Sequence, residues 1–132
     1  MIKEDYVNFE VAVLLNERGF DVPEYIVGHI YTENGNIQSV GSVEYNNADC
    51  IAAPTLQMAM KWLIEKHNIF IATQFGWFHG DYQYEASVVK MNPVVPPTTD
   101  SIEYIKSFRE DTIEEAIMKA IRCALVRLVK KV

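Results

Sequence analysis

Apolar residues recur along this chain with two periods, and the points where one gives way to the other divide it into elements. Over residues 7–18, Val7, Val11, Leu14 and Leu15 fall on one face at helical spacing. Gly19 then supplies the left-handed residue that commonly ends a helix, and Phe20 the apolar contact to Leu15 that accompanies such a cap. Pro23 stops any continuation. Residues 25–31 and 37–45 are rich in β-branched and aromatic side chains, and Asn34-Gly35 lies between them, which predicts a hairpin. Gly28 and Gly41 weaken its strands or mark bulges.

Pro54-Thr55 opens a second helix, with Thr55 as N-cap, Leu56, Ala59, Met60, Leu63 and His67 on one face, and Asn68 as its stop. Trp62 and Met58 on this helix are assigned to the core. Residues 69–78 and 82–91 read as a second hairpin turning through Gly80-Asp81, with Ile69, Ile71, Thr73 and Phe75 on one face of its first strand. Pro93, Pro96 and Pro97 discourage pairing in the loop that follows, and residues 102–108 form a further strand. Thr112 with Glu115 makes a capping box for a long final helix, whose apolar face runs through Ile113, Ile117, Ile121 and Leu125 with Ala116, Ala120 and Ala124 between them. The expected architecture is α+β over residues 1–132 as one domain. It has a mainly antiparallel sheet of about five strands and three helices, in the order α-ββ-α-βββ-α. Leu14, Leu15, Leu56, Leu63, Ile117, Ile121 and Leu125 are the expected core.

Composition narrows the class of molecule. The chain has 132 residues, 49% of them hydrophobic, enough for one continuous core. Its apolar runs are too short to span a bilayer, and its first residues lack the apolar core of a secretory signal, so the cytoplasm is the expected compartment. Cys50 and Cys123 match no metal or redox spacing and read as reduced thiols. The net charge of −6 is uneven: residues 1–60 carry two bases and nine acids, the remainder ten bases and nine acids. An acidic chain is a poor binder of phosphate backbones, which disfavours nucleic acid as partner and leaves the basic C-terminal helix as the only exception to consider. In that helix Asp111, Glu114 and Glu115 stand at the positive end and Lys119, Arg122, Arg127, Lys130 and Lys131 toward the negative end, an order the macrodipole explains.

Motifs of chemistry are sparse. The six glycines never cluster with Lys-Ser or Lys-Thr, so the phosphate-cradling loops are absent, and His29, His67 and His79 lack zinc-ligand spacing. No serine or cysteine sits in a nucleophile elbow, and neighbouring carboxylates lie at helix starts, where capping accounts for them. No catalytic residue, cofactor or metal is therefore nominated. The local concentration that remains is residues 75–84, where Trp77 and His79 share a face with Phe75, and Tyr82 shares one with Tyr84 on the return strand. Trp77, His79, Tyr82 and Tyr84 are the candidate binding residues. Such a face can stack a planar ligand or anchor a partner, and it can equally be cross-strand packing beneath a helix.

The run Ala53-Pro54-Thr55-Leu56-Gln57-Met58-Ala59-Met60-Lys61-Trp62-Leu63-Ile64-Glu65-Lys66-His67-Asn68-Ile69 resembles the APTxxxAxKWLREKHxIxI segment of small uncharacterised proteins encoded by gut Bacteroidetes and their phages. The first helix ending at Glu17 to Asp21, the aromatic strand after the motif and the Glu114 to Ala116 helix start are similar too. Ile64 stands where Arg is common, and the Pro-rich insert at 93–97 departs from the pattern. The resemblance implies a shared fold and no particular activity. The expectation that follows is a non-enzymatic accessory or protein-interaction protein of a phage or mobile element. The alternative is a small-molecule binder or enzyme with a pocket near the Trp77 to Tyr84 hairpin. Another protein is the expected partner, a second copy of the chain included, and no membrane.

Overall fold

Among the described residues three helices form, and a side-chain cap sets the start of each. In α1 (Phe9–Glu17), the Asn8 side chain accepts from the Val11 N–H at 2.9 Å. At the other end Phe20 N–H donates to Leu15 O and Gly19 N–H to Asn16 O, with Gly19 at φ +85, so α1 closes in a Schellman motif. In α2 (Leu56–His67), Thr55 caps the start through the Met58 N–H and Asn68 ends it in the left-handed region at φ +55. In α3 (Ile113–Leu128), the Thr112 hydroxyl accepts from the Glu115 N–H at 3.2 Å. The computed structural model describes residues 6–20, 29–32, 35, 37–39, 50–92 and 101–132.

Among the described residues six strands form two antiparallel sheets of three, where one sheet of about five was expected. The first has order β2-β1-β3, built from β1 (His29–Thr32), β2 (Ile37–Ser39) and β3 (Cys50–Ala52). Its hairpin falls where expected, with Tyr31 opposite Ile37 and Gly35 at φ +80, although the outer parts of the expected strands, Gly28, Asn34 and Gly41 lie outside the described residues. The added strand, β3, has only three residues, too few to leave a periodic trace. The second sheet has order β4-β5-β6, from β4 (Ile69–Phe78), β5 (Asp81–Met91) and β6 (Ile102–Glu110). The Pro-rich loop lies outside the described residues.

The two hairpin strands β4 and β5 turn through His79-Gly80, both at positive φ (+49 and +86), the signature of a two-residue type I′ turn. The expected turn at Gly80-Asp81 is thus one residue too late. Between β5 and β6 the register slips at Val88/Val89. Lys106 pairs with Val88 and Tyr104 with Val89, leaving Ile105 as the extra residue of a bulge. Ile105 consequently packs against the core while Tyr104 faces out and is exposed.

One face of the β4-β5-β6 sheet carries Ile69, Ile71, Ala86 and Val88, all buried. Opposite them stand the buried Ala116, Ile117, Ala120, Ile121, Ala124 and Leu125 of α3, whose alanines permit close approach. Trp62, Leu63, Leu56, Leu15 and Val11 complete the core from α2 and α1, and Leu14 is half-buried at its margin. Tyr31 joins the small sheet to the chain start: its hydroxyl donates to Val7 O at 2.6 Å, and Val7 N–H donates to Pro54 O at 3.0 Å. Among the described residues no helix is long and apolar enough to cross a membrane.

Candidate functional site

Strand alternation carries the inward face of β4 and β5 through Thr73 and on to the hairpin end, where it continues as Phe75 and Trp77 on one strand and Tyr84 and Tyr82 on the other. Phe75 stands opposite Tyr84 and Trp77 opposite Tyr82. The same face that is buried beneath α3 at Ile71 and Val88 is therefore open to solvent at its far end: Phe75 is 57%, Trp77 61% and Tyr82 60% exposed, and Tyr84 is half-buried.

The rings order one another. Phe75 and Tyr82 stack with centroids 5.5 Å apart and planes 15° from parallel, Tyr84 lies tilted at 4.7 Å from Phe75, and Trp77 meets Tyr82 edge-on at 4.8 Å. Pairs of this geometry each contribute about 0.5–1.5 kcal/mol beyond area burial, so the four rings hold a preset surface without a helix to cover them. His79 does not join it. It occupies the turn at φ +49, a conformation that His tolerates better than most residues, so the expected sharing of a face with Trp77 is corrected.

The opposite face of the hairpin is polar and fixes the register. Glu85 is buried; one of its oxygens accepts from Gln74 Nε2 at 2.9 Å and the other from Arg109 Nε at 2.8 Å. The Arg109 guanidinium also lies over the Phe78 ring at 4.3 Å, while Ser87 and Ser107 share a hydrogen bond of 2.7 Å. A Cβ at position 76 would meet the Phe78 ring at 3.3 Å, so the ring would have to give by a few tenths of an ångström to admit one. A one-residue slip would turn Glu85 inward and the aromatic rings outward, so this network and the rings specify the same pairing.

A cavity of about 550 Å³ lies elsewhere, between β6 and α3. Lys106 of β6 and Lys119, Arg122 and Arg127 of α3 surround it, and Phe108, Cys123 and Val126 give it apolar surface. None of the four candidate residues lines it. Lys119 donates to Glu110 and Arg122 to Glu10, and the Glu10 carboxylate holds the Arg122 guanidinium above its ordinary pKa. The sequence places the bases of α3 in order along the helix, but not Lys106 beside them, because that meeting depends on how β6 packs.

His67 closes α2 with its ring edge against Trp62, centroids 4.6 Å apart, and burial lowers its pKa from the ordinary 6.5. Among the described residues no three His, Cys, Asp or Glu side chains stand close enough to hold a metal ion. Compared with protein-family models, with curated proteins and with solved structures, the chain matches none.

Proposed function

We propose that this chain is a protein-interaction module that docks a partner on the aromatic face of its β4-β5 hairpin. The single observation that carries this reading is the exposure of Phe75, Trp77 and Tyr82 on a face whose inner half is core. Large rings held in place by one another lose little conformational entropy on binding, which is why Trp and Tyr dominate binding hot spots. Adjacent exposed rings of this size also form an apolar patch that a soluble surface rarely carries without use. An accessory role in a phage or other mobile element rests on the likeness of the Ala53 to Ile69 segment and its neighbouring elements.

The test begins by finding the partner. A photoreactive phenylalanine analogue at position 77 is expected to crosslink a partner that the same analogue at the exposed Lys61 does not. Affinity for that partner, measured with purified proteins, is then expected to fall at least about 30-fold in Trp77→Ala/Tyr82→Ala, the scale of a hot spot of about 2 kcal/mol. An unchanged affinity would place the docking surface elsewhere.

A further inference from the structure

The cavity between β6 and α3 gathers four bases on a chain whose net charge is −6. Like charges around one hollow repel, and among the described residues two of them meet a carboxylate: Lys119 at Glu110 and Arg122 at Glu10. Lys106 and Arg127 have no carboxylate partner among the described residues. The macrodipole accounts for Arg127 near the C-terminal end of α3, but Lys106 stands on a strand and owes nothing to it. The Lys106 ammonium lies 5.2 Å from the centre of the Phe108 ring, which keeps it beside the cavity rather than swept into solvent.

The remaining surface is apolar. Phe108 is half-buried, Cys123 buried and Val126 half exposed, and at about 550 Å³ the hollow falls within the usual range of small-molecule sites, about 300–1,000 Å³. A bare inorganic anion would leave most of that volume to water. We infer that the cavity binds a small amphipathic anion, an aromatic or branched apolar body resting on Phe108 and Val126 with a phosphate or carboxylate headgroup met by Lys106 and Arg127. This site is separate from the aromatic face and stands whether or not a protein docks there.

Calorimetric titration of the full chain at low salt with phenyl phosphate, benzoate and inorganic phosphate tests the inference. Saturable binding is expected for at least one of the two aromatic anions, and the tighter of them identifies the headgroup. Inorganic phosphate is expected to bind at least about tenfold more weakly, since it cannot use the apolar floor. Lys106→Gln/Arg127→Gln is expected to weaken the aromatic anion at least about tenfold, with the urea midpoint of the free protein unchanged because both side chains are exposed. Val126→Asp, an exposed position, is expected to abolish binding by placing a carboxylate on the floor. Absence of saturable binding by either aromatic anion overturns the inference. So does inorganic phosphate binding as tightly as phenyl phosphate, or an affinity indifferent to the Lys106 and Arg127 changes.

Discussion

The Arg18 guanidinium closes the C-terminus of α3: its Nε–H donates to Leu125 O at 2.6 Å and to Val129 O at 3.2 Å. Carbonyls in the last turn of a helix have no partner within it, and here a side chain from the end of α1 supplies one. Arg18 is itself buried, donates from Nη1 to Leu14 O, and lies 3.7 Å from Glu17, which Lys131 also meets at 3.0 Å. Arg18→Met keeps the aliphatic stem and removes these donors. It is expected to lower unfolding free energy by about 2–4 kcal/mol in urea, since buried carbonyls lose a charged donor. A loss below about 0.5 kcal/mol would mean that water replaces the guanidinium freely.

Glu85 tests the outer face of the hairpin. Arg109→Met leaves a buried carboxylate with Gln74 as its remaining side-chain hydrogen-bond donor and takes the guanidinium from Phe78. The expected cost is about 1–3 kcal/mol, and Glu85→Gln in the same background is expected to recover part of it by removing the unpaired charge. Additive effects of the two changes, measured by a double-mutant cycle, would show that the pair is not coupled.

The His67 ring beside Trp62 predicts a pH dependence with a definite sign. Burial lowers the folded pKa below the unfolded 6.5, so the unfolded chain binds the proton more readily. The stability linked to His67 is fully present above 6.5 and is lost as pH falls through the folded value. Wild type is therefore expected to lose more of its melting temperature than His67→Asn between about pH 7.5 and about pH 5. Parallel curves for the two proteins would remove His67 as the cause.

Features set within a few residues were legible in the sequence. Gly19 with Phe20, Thr55, Asn68 and Thr112 each act on their own helix end, and each does what its position implies. The apolar stripes of α2 and α3 predicted the burial of Leu56, Leu63, Ile117, Ile121 and Leu125. What the sequence hid depends on distant partners. Arg18 and Glu85 look like ordinary surface charges until their carbonyl, amide and guanidinium partners are in place. The His79-Gly80 turn was missed by one residue because Asp81 is the more familiar turn former, although here it opens β5. Alternation of Phe75 with Trp77 and Tyr82 with Tyr84 is the same whether α3 covers them or stops short, so their exposure could only come from the fold.

The hairpin rings form a surface rather than a core, and urea unfolding of Trp77→Ala/Tyr82→Ala separates the two cases. If the rings hold only each other, the double change forfeits one edge-on pair and the stack on Phe75, about 1–3 kcal/mol, with the m-value unchanged. Trp62→Ala, which empties a buried site in the core, is the internal standard and is expected to cost about 3–5 kcal/mol. A double variant that loses as much as Trp62→Ala, or more, would show that Trp77 and Tyr82 are part of the core and not a docking surface.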